Sequence, residues 1–142
     1  MSETRFLASS GPEVIIAFLD ALRTDADLQS VLGQSARVYD DETDAPVYPY
    51  AVLERHETST NDGVDKRGLE HTLHFSTYSR HGGMEAAKRL IGLLRGAVEN
   101  ISLDGLNQRV VLILPTYSDV LRTKSANVFR GVLRVRLYAE GL

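Results

Sequence analysis

Glu70-His71-Thr72-Leu73-His74-Phe75-Ser76-Thr77-Tyr78-Ser79, followed by Arg80-His81-Gly82-Gly83 and then by Met84 to Val98, is the stretch on which the fold turns. In its first part Leu73 and Phe75 alternate with polar residues, the period of two that half-buries a strand. The glycine pair breaks that strand. From Met84 the period changes: Ala87, Leu90, Ile91, Leu94 and Val98 recur at three- and four-residue intervals, which line one face of a helix. A strand therefore hands directly to a helix that can fold back over its sheet.

Upstream, Ser10-Gly11-Pro12-Glu13 reads as a capping box, so a helix is expected to begin there and to carry the stripe Val14, Ile15, Phe18, Leu19 and Leu22. Asp25 can cap a second short helix with Leu28, Val31 and Leu32, stopped by Gly33. Arg37-Val38-Tyr39 reads as a short strand, then the acidic run Asp40-Asp41-Glu42-Thr43-Asp44 and two prolines make a loop. Tyr50 to Thr58 alternates as a strand, interior at its start because Tyr50 and Val52 face one way and Ala51 and Leu53 the other. Ser59 to Gly68 is polar and long, the expected mobile connection to the opening strand.

Downstream, Asp104-Gly105 between Leu103 and Leu106 is a type I′ turn signal and predicts a small hairpin. Val110 to Leu114 is apolar throughout, the pattern of a strand covered on both faces, and Pro115 is expected to end it. A second polar loop, Ser118 to Asn127, leads into Phe129 to Ala139, where Leu133, Val135 and Leu137 alternate with Arg134, Arg136 and Tyr138. The fold class is α+β: one domain over residues 1–142, with a mixed, mostly antiparallel sheet. An N-terminal helix and a central helix pack on it, and two long loops leave it.

Composition narrows the chemistry. A chain of 142 residues suits one domain with its own core. It has no cysteine, which removes disulfides, thiolate metal sites and cysteine nucleophiles. A net charge of -3 makes no global case for wrapping nucleic acid or an anionic membrane. The apolar run Val14 to Leu22 is interrupted by Asp20 and lacks a basic leader, so neither export nor membrane insertion is expected.

The candidate sites are each weighed against a plainer reading. His71, His74 and Glu70 invite a metal, yet strand positions three apart face opposite sides. Asp40, Asp41, Glu42 and Asp44 lack the glycine and terminal glutamate of a calcium loop. Gly82-Gly83 precedes a helix without any phosphate-loop motif, and no GxSxG frames a serine. No cofactor is expected. Gly92 and Gly96, with Arg95 between them, lie off the apolar stripe of the central helix; each glycine costs ~1 kcal/mol there, which points either to a close neighbour on that side or to a helix that frays near Gly96. Arg130, Arg134 and Arg136 share one face of the last strand and would concentrate positive charge on it, either as a plain solvated face or as a surface that meets phosphate or an acidic neighbour.

Three blocks in order resemble a known family: Tyr48-Pro49-Tyr50-Ala51-Val52-Leu53; Glu70 to Ser79 running into Glu85-Ala86-Ala87; and Arg130-Gly131-Val132-Leu133-Arg134-Val135-Arg136. Val38-Tyr39-Asp40 after Val31-Leu32-Gly33 fits the same order. This is the pattern of phage tail-terminator or tail-completion proteins, in the branch found also in gene transfer agents, and it spans about Leu19 to Ala139. The resemblance implies a non-enzymatic virion protein without catalytic residues, assembled in the bacterial cytoplasm. Such a protein forms a homo-oligomeric ring, usually hexameric, at the head-proximal end of the tail tube. Its implied partners are further copies of itself, the tail-tube protein, a head-completion or neck protein, and DNA passing through the lumen; no membrane is involved. Gly92, Gly96 and Arg95 become candidates for the subunit interface. Lys66, Arg67, Arg122, Lys124, Arg130, Arg134 and Arg136 become candidates to face the lumen or DNA through weak, salt-sensitive contacts. Alternatives of other kinds are a head-to-tail adaptor or neck component, and a small ligand- or metal-binding α+β module using His71, His74 and Glu70.

Overall fold

Burial in the central strand follows its alternation: Leu69, His71, Leu73, Phe75, Thr77 and Ser79 are buried, whereas Glu70, Thr72, His74 and Tyr78 are only partly so. The computed structural model describes the backbone of residues 3–41 and 44–142 and side chains from Pro12 onward. Its elements are α1 (Glu3–Arg23), α2 (Ala26–Leu32), β1 (Val38–Tyr39), β2 (Tyr50–Thr60), β3 (Gly68–Arg80), α3 (Gly83–Glu99), β4 (Gln108–Arg122) and β5 (Val128–Gly141). The strands form one sheet in the order β1-β2-β3-β5-β4; β1 pairs parallel with β2 and all other neighbours are antiparallel. This is the α+β class read from the sequence.

All helices lie on one face. Val14, Phe18, Leu19 and Leu22 of α1 and Leu28 and Leu32 of α2 join Leu90, Ile91, Leu94 and Val98 of α3 over Leu73, Phe75, Leu133, Val135 and Leu137. Phe18 and Phe75 stack with ring centroids 5.9 Å apart, fixing α1 over the middle of β3. Asp25 caps α2 by accepting from the Leu28 amide at 3.0 Å, and Gly33 ends it with φ 85°. The strand-to-helix turn uses positive φ at His81, Gly82 and Gly83 in succession, so the glycine pair serves a tight reversal.

Several expectations are corrected. Helix α1 starts at Glu3 and runs through Pro12, so no capping box opens it; the Glu13 carboxylate instead accepts from the Asn107 amide at 2.7 Å, tying α1 to the segment before β4. The acidic loop is described only in part, since Glu42 and Thr43 lie outside the described residues. The loop after β2 spans only residues 61–67. It is held by a Gly63 amide to Lys66 carbonyl bond, by Asp62 accepting from the Gly68 amide, and by the Tyr138 hydroxyl donating to the Asn61 carbonyl.

No hairpin forms at Asp104-Gly105: Ile101, Leu103 and Leu106 pack against the core, and the segment bends at residues 105–107 before it enters β4. Strand β4 continues through Pro115 to Arg122, leaving only residues 123–127 as the second loop. Proline survives there because β4 is the sheet edge, with register shifts at Val110/Leu112 and Pro115/Tyr117. Nor is β4 covered on both faces, because the helices lie on one side of the sheet only; Val111 and Leu114 are nearly half exposed.

The close approach inferred at Gly92 and Gly96 occurs elsewhere. A side chain on either glycine would find no neighbour within 4 Å among the described residues, whereas one at Gly131 of β5 would overlap Ile91 of α3 and the Thr77 hydroxyl. Gly131→Ala is therefore expected to destabilise the protein by about 1–3 kcal/mol through overpacking. Gly92→Ala and Gly96→Ala should each stabilise it by roughly 0.5–1 kcal/mol. Urea unfolding of the three variants checks the opposite signs.

Candidate functional site

Histidines of the central strand divide between the two faces. His71 is fully buried on the helix side, where its Nδ1 lies 2.8 Å from His56 Nε2 and the rings stack with centroids 5.1 Å apart. His56 reaches that side because the bulge between Leu53 and Arg55 shifts the alternation of β2 by one residue. His74 points to the open face and meets Glu57 at 2.7 Å. A shared site of His71, His74 and Glu70 is thus ruled out by geometry, and no group of three potential ligands gathers among the described residues.

Burial pushes the His71 pKa down to about 4, with the neighbouring His56 adding to the effect, and burial lowers His56 as well. The pair is therefore neutral at pH 7, sharing one hydrogen bond. His71 Nε2 has no partner among the described residues.

On the open face the arginines of β5 meet acids of β2 and β3. Arg130 donates to Glu54 at 2.7 Å and to the Ser76 hydroxyl at 3.0 Å. Arg136 pairs with Glu70, and Arg134 lies 5.2 Å over the Tyr117 ring. The Tyr78 hydroxyl also donates to Glu54, and burial together with that carboxylate pushes its pKa up to about 12. A hydrogen bond from His74 holds Glu57 below the usual carboxylate range. The three arginines do share a face, but cross-strand acids offset the charge of Arg130 and Arg136, so the positive stripe inferred from the last strand alone does not form.

The other candidate cations lie at opposite ends of the sheet. Lys66 and Arg67 occupy the loop beside Gly68 and Glu140, and Arg67 pairs with Asp62 at 2.9 Å. Arg122 and Lys124 sit where β4 turns into β5, beyond a β3 of 13 residues, roughly 40 Å away. Gly92 and Arg95 are exposed on α3 and Gly96 partly so; Arg95 pairs with Glu99 at 3.1 Å. Gly92 and Arg95 line a groove between α3 and β4, with Met84 and Lys88 on the helix and Ser118 to Val120 on the strand.

Sequence reasoning missed two features. One is the free edge of β4, which with Leu114, Tyr117 and Leu121 exposes apolar residues toward the open face. The other is a tyrosine cluster: Tyr50 contacts Tyr39, Tyr48 and Tyr78 with centroids 5.2 to 6.0 Å apart, and Arg80 lies 4.2 Å over the Tyr48 ring. The alternation of Tyr48 and Tyr50 was legible; their convergence with Tyr39 and Tyr78 depends on the pairing of β1, β2 and β3.

The geometry is that of an α+β protein with its helices on one face of the sheet, an edge strand on one side and ion pairs across the open face. The profile of the family described as Tail completion protein gp17 matches residues 16–140, and the chain belongs to that family. It is a tail-related structural protein of a virion. Among solved structures, a chain described as "Virion of native gene transfer agent (GTA) particle" is similar in fold, with a TM-score of 0.81 and 22% identity over 94% of this chain and 98% of that one. No curated protein matches the sequence. No helix among the described residues is long and apolar enough to cross a membrane.

The buried histidine pair makes stability depend on pH. The folded pKa of His71 lies below the unfolded value near 6.5, so its contribution is intact above that value. Below it the unfolded chain takes up the proton first, and stability falls by ~1.4 kcal/mol per pH unit until about pH 4. Between pH 7.5 and pH 5, ahead of most carboxylate titration, the expected loss is about 2 kcal/mol. Urea midpoints at the two values test this, and His71→Leu should flatten most of the slope.

Proposed function

We propose that this chain is a tail terminator. Copies of it form a homo-oligomeric, hexameric ring that caps the head-proximal end of the tail tube and joins it to the head or neck. The observation that carries this reading is membership of the tail-completion family over residues 16–140. A long sheet edge with exposed apolar residues supports it, because the unpaired backbone groups and apolar side chains along such an edge favour cover by another chain. The mechanism is steric and needs no catalysis: one ring face docks on the last tube ring, and the other presents a surface that tube subunits cannot extend.

The groove containing Gly92 and Arg95 is the proposed place where a neighbouring subunit touches α3, since a glycine there costs helix stability without serving any contact within the chain. DNA passing through the lumen would meet cations not already committed to acids. Lys66 and Lys124 meet that condition among the described residues better than Arg130 or Arg136, which are paired. Assembly is proposed to occur in the bacterial cytoplasm.

Light scattering and negative-stain microscopy of the protein, alone and mixed with tail-tube protein, are expected to show rings; monomer at every concentration and in both samples would refute the proposal. Gly92→Leu is expected to keep the monomer folded while lowering the ring fraction several-fold. An unchanged ring fraction would remove the α3 groove from the interface.

A further inference from the structure

Two stretches of the sheet have no neighbouring strand among the described residues. One is the outer side of β4; the other is β2 beyond Val52, because β1 pairs only with Ala51 and Val52, and Glu54 to Thr60 are all exposed. Hydrogen bonding alternates along an antiparallel strand, so one bond fixes which residues turn their N–H and C=O outward. In β2 the Asn61 amide donates inward to the Gly68 carbonyl; Ser59, Glu57 and Arg55 therefore bond inward, and Thr60, Thr58 and His56 point out. In β4 the Thr123 amide donates inward to the Val128 carbonyl. Leu121, Asp119 and Tyr117 then bond inward, while Val120, Ser118 and, past the bulge, Pro115 point out. Accordingly, the Val120 amide bonds the Asp119 carboxylate and no strand.

Both outward sets belong to the helix side of the sheet: His56 is paired with buried Leu73, Pro115 with buried Val135 and Ser118 with buried Leu133. Strand β4 also runs antiparallel to β2. The two edges of successive copies can therefore pair antiparallel with every copy keeping its helices on the same face, a head-to-tail contact of the kind that closes into a ring. Charge selects the register. Asp119 accepts from the Tyr117 hydroxyl and the Val120 amide but makes no ion pair among the described residues, and Arg134 rests over the Tyr117 ring, also without one. Arg55 pairs only with Glu57 at 3.3 Å, an exposed contact that exchanges at little cost. With His56 opposite Ser118, Arg55 faces Asp119, and Glu57, keeping its hydrogen bond with His74, faces Tyr117 with Arg134 behind it. A slide of two residues one way sets Glu57 against Asp119; the other way sets Arg55 against the ring that Arg134 already covers. Only the register between them joins opposite signs.

We infer that β4 of each copy pairs antiparallel with the free stretch of β2, Arg55 to Thr60, of the next, with Arg55 opposite Asp119, so that the sheets join edge to edge around the ring. Past the bulge Thr58 falls opposite Pro115, which accepts a bond there without donating one, and Ser59 falls opposite Leu114. The neighbour's β2 lies along the groove between α3 and β4, whose strand side is Ser118 to Val120. This rests on the ring reading above and adds which strands meet and in what register.

The chain has no cysteine, so introduced pairs report the contact without background. In this register residues 59 and 114 of adjacent copies form a non-hydrogen-bonded pair with Cα atoms about 4.5 Å apart, within reach of a disulfide. Ser59→Cys with Leu114→Cys, oxidised under conditions where the unaltered protein forms rings, should give covalent oligomers up to the ring size on a non-reducing gel. Ser59→Cys with Leu112→Cys, two residues out of register, should crosslink at least tenfold less. Independently, Arg55→Glu or Asp119→Lys should lower the ring fraction several-fold by light scattering, and both changes in one chain should restore it. Circular dichroism with thermal melting establishes that the variants are folded; if the first cysteine pair is not, Glu57→Cys with Tyr117→Cys takes its place. Rings that do not crosslink overturn the inference, as does preferential crosslinking of the Leu112 pair. So do single charge reversals that leave the rings unchanged, and dimers of Leu114→Cys alone, which would mean that β4 meets β4 of a second copy. An unaltered protein that never forms rings refutes the ring reading itself, an outcome separate from these.

Discussion

Ile91 of α3 occupies the notch that Gly131 leaves in β5, and the arrangement of the sheet depends on that seat. Helix α3 leaves the end of β3 and must deliver the chain to β4, two strand positions away, with β5 later filling the gap. A β-carbon at residue 131 would hold the helix off the strand that it bridges. With the glycine there, Leu90, Leu94 and Val98 reach Leu133, Val135 and Leu137, and the helix seals the inner face of the sheet. Burial on one face then leaves the other to satisfy itself. It does so with cross-strand pairs, Arg130 to Glu54, Arg136 to Glu70 and His74 to Glu57.

Elements built from local signals were legible in the sequence. The alternation of β3, the three-four spacing of α3, the Asp25 cap and the Gly33 stop all appear in the structure at the expected residues, because each depends on neighbours within a few positions. Misreadings came where distant parts of the chain override a local cue. Pro115 ends a strand in the interior of a sheet but not at its margin, and nothing local to Val110–Arg122 says which it is. Asp104-Gly105 carries a turn signal, but Leu103 and Leu106 gain more by packing on the core than by pairing with each other. Ser10 to Glu13 has the letters of a cap, yet the helix had already begun and Glu13 serves an amide 94 residues away.

The candidate surface was less legible than the fold. The three arginines of the last strand share a face as the alternation required, but their charge could be judged only once β2 and β3 had supplied their acids. The bulge at Leu53/Arg55 has no signature in sequence, and without it His56 would not share a face with His71. That the metal reading of His71 and His74 fails is, by contrast, a direct result of strand period. Family membership, visible in the order of three weak blocks, says what kind of assembly the chain serves; the placement of charge relative to the sheet edges comes only from the topology.

Edge strand β4 has a consequence for the subunit before assembly. A flat edge of 15 residues bearing Val111, Leu114, Tyr117 and Leu121 would accept almost any extended chain, and open-ended stacking of strands is how such edges precipitate. Here Pro115 lacks the N–H that a guest strand would use, and two bulges bend the edge out of the plane. The proline that looked like a strand terminator is therefore a guard on solubility. It makes the edge a poor template for an arbitrary extended chain.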